Sequence, residues 1–197
     1  IAVIGTRENT SIGERITQKT TSFLVNSGFT VVSGLAIGID AIAHIECLNN
    51  CGDTIAVLPS ISNIQPLSNR SLANNILNNN GLLLSEQKPT TKYHSSHLVK
   101  RDRIQSGLSL SLFVIETKIN GGSMYAVNDA IKHKKTVYCP DIRSFDNEYK
   151  LNKQTEGIKM LCNDNLAQCY RSKDYEEILR NINISVKKEN IKVSLFE

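Results

Sequence analysis

"VVSGLAIGIDAIAH", residues 31–44, decides how this chain is read. Two valines run into Ser33-Gly34, small residues follow, and Ile39-Asp40 opens a helical pattern. A strand that breaks on glycines into a helix start presents free amides and the positive end of a helix dipole to an anion. The question is whose phosphate the loop would hold: a cofactor's, a small substrate's, or that of a nucleic-acid backbone.

Working outward, apolar runs and helical periodicities alternate along the chain. Strands are expected at "IAVIG" (1–5), "FTVVSG" (29–34), "TIAVLP" (54–59), "GLLLSE" (81–86), "LSLFVIE" (110–116) and "KTVYCP" (135–140). Helices are expected from Ser11 to Asn26, Ile39 to Asn49, Asn69 to Asn79 and Met124 to Lys132. The strands are continuously apolar rather than alternating, as in sheets covered on both faces. That order predicts an α/β fold, Rossmann-like and doubly wound, with a mostly parallel sheet. After Pro140 the signal fades. Residues 141–156 read as loop, "GIKMLC" (157–162) as a short strand or turn, and Tyr175 to Asn181 as a last helix. One domain is expected over 1–184 and a mobile Lys/Asn-rich tail over 185–197.

With 40% hydrophobic and 21% charged residues, the 197-residue chain has the composition of an ordinary globular domain. No run of about 18 apolar residues is present, so no membrane partner is expected. No charged-then-apolar leader precedes the first strand, and cytoplasmic localisation is expected. The sequence starts at Ile1, directly in strand-like sequence and without a methionine, so further residues are expected before it. The five cysteines form no C-x-x-C pair and are expected as free thiols. No metal cluster has ligand spacing. A formal net charge of +4 permits an anionic partner without demanding one.

Ligands of open α/β sheets sit beyond the carboxyl ends of the strands. That edge collects Gly5-Thr6-Arg7, Ser33-Gly34 through Gly38 and Asp40, Glu116, and Gly121-Gly122-Ser123. Arg7 adds a permanent charge shaped for phosphate oxygens. Asp40 and His44 fall on one helical face and read as a structural pair, since no nucleophile stands beside them. Glu116 reads either as a base or as an acceptor for loop amides. A basic run, "KYHSSHLVKRDRIQSGLS" (92–109), places Lys92, Lys100, Arg101 and Arg103 on the approach to the same edge.

Taken together, "VIGTR", "VVSGLAIGIDAIAH", "TIAVLP", "LLLSE", "RDRIQSGLS", "FVIE" and "GGSMYAVNDA" resemble, in order and spacing, the DprA/Smf family over about residues 1 to 140. The resemblance implies an extended Rossmann-like domain, a homodimer that binds single-stranded DNA by its phosphates and helps load a RecA-type recombinase. It implies DNA contacts at Gly5, Thr6, Arg7, Ser33, Gly34, Gly38, Asn69, Arg70, Arg101 and Arg103, to which the edge and the basic run add Lys100, Gly122 and Ser123, with no catalytic residue and no cofactor expected. Ile37 stands where the family usually has Arg, Gln65 where it has Tyr, Asp102 where it has Asn, and Leu98-Val99 where it has Phe-Pro.

Aromatic residues are 6% of the chain, too few for a stacking platform, and Tyr93 and Tyr125 are the candidates for a stacked base. Three other readings remain open. A LOG-type nucleoside monophosphate phosphoribohydrolase would need a carboxylate where Asn128 stands. A non-catalytic nucleotide sensor needs no such acid. A dinucleotide oxidoreductase would need G-x-G-x-x-G in the first loop, which is missing. Finally, "KVSLFE" (192–197) is similar to the peptide that replication proteins insert into the sliding clamp, with Leu195 and Phe196 as anchors. The other use of that segment is docking on its own domain or on a partner subunit.

Overall fold

A computed structural model describes the backbone of residues 1–92 and 94–194, and side chains as far as residue 186. Among these residues, seven strands form one sheet: β1 (Ala2–Ile4), β2 (Val31–Ser33), β3 (Thr54–Val57), β4 (Leu82–Leu84), β5 (Ser111–Val114), β6 (Thr136–Pro140) and β7 (Gln168–Tyr170). Their order is β4-β3-β2-β1-β5-β6-β7, and every pairing is parallel. The chain therefore winds outward from β1 to β4, crosses back to lie beside β1, and winds outward again. The reversal falls between β1 and β5, which makes that gap the natural ligand crevice.

Among the described residues, eight α-helices cover the sheet: α1 (Ser11–Asn26), α2 (Ile39–Asn49), α3 (Arg70–Asn78), α4 (Ser96–Gly107), α5 (Met124–Lys132), α6 (Asn147–Leu151), α7 (Glu156–Asn163) and α8 (Tyr175–Ser194). Alternation along the strands sorts the core into two layers. Ala2, Ile4, Leu112 and Val114 pack on one face with α5 and α7 through Met124, Val127, Ile158 and Leu161. Val3, Phe113 and Ile115 point the other way, against Leu24 of α1, Ile39 and Ala43 of α2, and Ile178 and Ile182 of α8. Phe113 stacks on Tyr138 at 4.8 Å between ring centroids.

Where the structure departs from the sequence pattern, the reasons are local. "GIKMLC" is not a strand but most of α7; its buried residues, Gly157, Ile158 and Leu161, follow a helical spacing too short to stand out. The segment expected as loop contains α6, capped by the Asp146 side chain, which accepts from the Tyr149 amide at 2.8 Å. The last helix runs past Asn181 to Ser194, through residues expected as a mobile tail. Not all cysteines are free: the turn from α7 into β7 brings Cys162 and Cys169 together, and they are bonded. Cys47, Cys51 and Cys139 remain free thiols. Leu195 and Phe196 lie outside the described residues, as does Tyr93.

A further helix that the pattern does not show is α4, the crossover to β5. Its buried residues are Arg101, Gln105 and Ser106, so it has no apolar stripe to betray it. Its far end is held by Lys135, at the entry to β6. The Lys135 ammonium donates to the carbonyls of Ser106 at 2.8 Å, Gly107 at 2.8 Å and Ser109 at 2.7 Å. A cation at a helix C-terminus satisfies carbonyls that the helix cannot, and complements the dipole. Lys135→Met is expected to lower stability by about 1.5–3 kcal/mol, the worth of hydrogen bonds to a charged group. Urea unfolding monitored by circular dichroism reads the change.

Candidate nucleic-acid interface

Between β1 and β5 the outgoing loops part and leave a cavity of about 430 Å3. Gly5, Thr6, Arg7 and Glu8 form one wall, Thr117, Lys118 and Gly121–Ser123 another, and α4 closes the third with Leu98, Arg101, Asp102 and Gln105. A smaller cavity of about 190 Å3 adjoins it, lined by Ile37, Gln65, Pro66 and Leu98; Arg7 and Arg101 line both.

The glycines of the opening stretch serve close approach. Gly38 has φ +83°, and a Cβ there would overlap the Thr6 carbonyl and Arg7. The β1 loop thus rests directly on the start of α2, and the Ile39 amide donates to the Thr6 carbonyl at 3.2 Å. Gly34 makes room for a side chain instead, because a Cβ there would overlap the Arg101 guanidinium.

Arg101 is 6% exposed. Its Nη2 lies 3.9 Å from Asp40 Oδ2 and its Nε 3.5 Å from Asp102 Oδ1. Both separations exceed the roughly 2.7–2.9 Å of a good charged hydrogen bond. Its Nε and Nη1 are buried with no acceptor among the described residues. A guanidinium carries five donors and cannot shed its charge, so this one sits in the protein short of acceptors. It borders a cavity of nucleotide size, within the roughly 300–1,000 Å3 of small-ligand sites.

The groups around Arg101 feel the same burial. Desolvation raises the Asp40 pKa, with Arg101 pulling it down, and the Ala36 amide reaches Asp40 at 3.4 Å. Asp102 is pushed up to about 7 by burial, against the pull of Arg101. The Gln105 amide donates to it at 2.9 Å. His44 is driven down to about 3 by burial and by Arg101. The expected Asp40–His44 pair does not form: His44 Nδ1 meets Thr54 Oγ1 at 2.7 Å, while Asp40 turns to Arg101.

Glu116 answers to the second of its two readings. Thr10 donates to it twice, from the backbone amide at 2.9 Å and from the hydroxyl at 2.6 Å. The Thr10 hydroxyl in turn accepts from the Gly13 amide at 3.0 Å, capping α1. A Cβ at Gly13 would overlap the Glu116 carboxylate, so glycine there admits the acid. Desolvation raises the Glu116 pKa while the Thr10 bonds lower it.

Comparison with known proteins matches this chain to the family model described as DNA recombination-mediator protein A over residues 1–183. The chain belongs to the DprA/Smf family. It is 39% identical to protein Smf of Synechocystis over 148 residues, covering 73% of this chain and 37% of the relative. It is 33% identical to DNA processing protein DprA of Bacillus subtilis over 147 residues, covering 74% of this chain and 49% of that one. The chain thus spans less than half the length of either relative. A structure of DNA processing protein A from Helicobacter pylori, described for its single-stranded DNA binding mode, superposes with a TM-score of 0.77 at 28% identity, over 95% of this chain and 80% of that one.

Set on this DprA/Smf fold, the expected contact residues divide. Gly5, Thr6, Arg7, Gly122 and Ser123 line the cavity, and the amides of Arg7, Gly122 and Ser123 have no acceptor among the described residues. Arg7 is exposed and forms no ion pair among the described residues. Ser33 is buried with its hydroxyl donated to the Val3 carbonyl at 2.7 Å, and is no surface contact. Asn69 donates to the Leu35 carbonyl at 2.9 Å, bracing the left-handed residue of the glycine loop (φ 59°). Lys100, Arg103 and Arg70 line neither cavity. The basic run is helical, so turning Arg101 inward sends Lys100 and Arg103 outward, and Arg103 pairs with Glu86. Tyr125 is exposed in the first turn of α5, beside the cavity rim but outside its lining.

Lys118 and Gln154 are functional candidates that sequence reading missed. Lys118 lines the cavity and donates to Glu8 at 2.8 Å, and Gln154 donates to the same carboxylate at 3.0 Å. Neither lies in a motif. Met124 is buried in the core and Asn128 is exposed, so the start of α5 offers no carboxylate to the cavity.

Burial of the Arg101 cluster has a consequence for acid stability. His44, neutral when folded but ordinary when unfolded, withdraws stability as pH falls below about 6.5. Asp102, with its folded value near 7 and an ordinary unfolded one, adds stability as pH falls from about 7 toward 4. The two oppose each other over one window. Asp102→Asn is therefore expected to lose about 2 kcal/mol relative to wild type between pH 7 and 5, and His44→Gln to gain acid tolerance. Urea unfolding at the two pH values checks both signs.

Proposed function

We propose that this chain binds single-stranded DNA along the carboxyl edge of its sheet, holding a phosphate in the cavity between Arg7, Arg101 and the Gly122–Ser123 amides. The observation that carries the reading is the buried Arg101, short of acceptors beside a cavity that Arg7 also lines. An anion entering there gains two guanidinium groups and free amides at one point, and it supplies the acceptor that Arg101 lacks. A phosphodiester strand is favoured over a free nucleotide by family membership, and because the two cavities share Arg7 and Arg101 and so offer a path rather than one closed pocket. The Helicobacter pylori relative, described as binding single-stranded DNA, supports the same choice.

In this reading the chain is a binding protein rather than an enzyme. It acts in DNA processing in the cytoplasm, protects the bound strand, works as a homodimer and presents the strand to a RecA-type recombinase. Contact through backbone phosphates means weak sequence preference and a steep loss of affinity with salt.

Fluorescence anisotropy with a labelled oligothymidylate tests it. Arg7→Ala is expected to weaken binding by about tenfold or more and to flatten the salt dependence by about one charge. Arg103→Ala, whose charge is spent on Glu86, is expected to stay within about twofold. Affinity indifferent to salt, or release of free base from nucleoside monophosphates, would refute the reading.

A further inference from the structure

The cavity is electrically balanced in a way unusual for an anion site. Three cations, Arg7, Arg101 and Lys118, share its lining with three carboxylates, Glu8, Asp40 and Asp102. The carboxylates are not equivalent. Glu8 is at the surface and spoken for by Lys118 and Gln154. Asp40 also flanks Arg101, at 3.9 Å, with the Ala36 amide turned onto it. Asp102 lines the cavity as the carboxylate nearer to Arg101, with its contacts confined to one oxygen. One oxygen takes the Gln105 amide, and its approach to Arg101 Nε is a loose 3.5 Å.

A phosphate reaching Arg101 from the cavity meets Asp102, which lines the same cavity 3.5 Å from the guanidinium. Two anions cannot both keep full charge at so short a range in a partly desolvated site, and one of them must lose it. A phosphodiester stays ionised through the whole physiological range, so the carboxylate is the group that yields.

Resting on the phosphate-site reading above, we propose that the incoming phosphate displaces Asp102 from Arg101 and that Asp102 takes a proton from solvent as it goes, so that strand binding by this chain is coupled to proton uptake. No other bond is made or broken: the guanidinium exchanges a carboxylate for a phosphate oxygen, and the proton neutralises the carboxyl left behind. The charged groups facing Asp102 are Arg101 from its own helix, Asp40 from α2, Arg7 from the β1 loop and, across the cavity, Glu8 and Lys118. Asp40 favours the protonated form of Asp102, and the three cations oppose it. With burial already holding Asp102 near 7, a second anion moves its protonation into the working range of the protein. Binding is then insensitive to pH below about 7 and weakens above it, because the proton must be drawn from an increasingly dilute pool.

The experiment uses the full chain and an oligothymidylate of about 20 nucleotides, titrated by anisotropy from pH 6 to 9 at constant ionic strength, well above the few nucleotides one such site holds. Wild type is expected to lose about tenfold in affinity per pH unit over part of the range above pH 7. Asp102→Asn is expected to bind more tightly than wild type at pH 8.5 and to show no such slope. That variant keeps every histidine of the chain, so a slope of their making survives in it. A slope equal in the two proteins overturns the proposal. Calorimetry on wild type alone, in two buffers of different ionisation heat at about pH 8, reads the proton directly. Uptake near one proton per strand supports the coupling, and uptake near zero overturns it, whatever the variant does. Absence of binding at every pH overturns the phosphate-site reading and this proposal together, whereas binding with no pH slope overturns this proposal alone.

Discussion

The arrangement of the cavity depends on one buried charge. Arg101 can lie under the second glycine loop only because residue 34 has no Cβ, and Asp40 and Asp102 flank its guanidinium there. Taking a guanidinium out of water costs several kcal/mol, and two carboxylates at these separations offset that cost in part. The remainder is carried by the packing around them: α4 is fastened at its far end by Lys135, and α2 is pressed against the β1 loop through Gly38. The cluster ties the Gly34 loop that follows β2 to α2 and α4, and α4 closes one wall of the crevice.

The sheet supplies the frame for this. Every strand runs the same way, so every strand-end loop opens on one edge, and the reversal of winding between β1 and β5 parts two of those loops. A structure that places glycine loops, helix starts and arginines together by topology needs no long-range sequence signal to do so. It also explains why Glu116, at the end of the β5 segment, is drawn into capping α1 rather than left free: the neighbouring strand delivers Thr10 to it.

Much of this was legible in the residues. α1, α2 and α5 begin and end where their periodicity and flanking glycines or polar caps put them; α5 buries an apolar stripe, whereas α1 buries threonines beside Leu24 with Ile12, Ile16 and Phe23 half-buried. The helix that matters most for the site, α4, was legible only as a string of charges. Its inward face is Arg101, Gln105 and Ser106, and a pattern built on hydrophobicity has nothing to find there. Reading that string as a line made Lys100, Arg101 and Arg103 equivalent; winding it into a helix buried one and exposed two. Lys118 and Gln154 were invisible for another reason, since what makes them part of the site is the fold of distant segments around Glu8. β7, three residues long at the sheet margin, is below the length at which any pattern can speak.

The contact between Gly13 and Glu116 reaches beyond the single molecule. The acid occupies space that any side chain at position 13 would claim, and the helix cap at Thr10 is built on that acid. Neither position can drift alone: a larger residue at 13 evicts the carboxylate, and a shorter one at 116 uncaps the helix. Across descendants of this sequence the two are bound to a shared history, inherited or replaced as a unit though they sit on different segments of the chain. A substitution at one that looks harmless in isolation is the first half of a two-step change whose intermediate folds poorly.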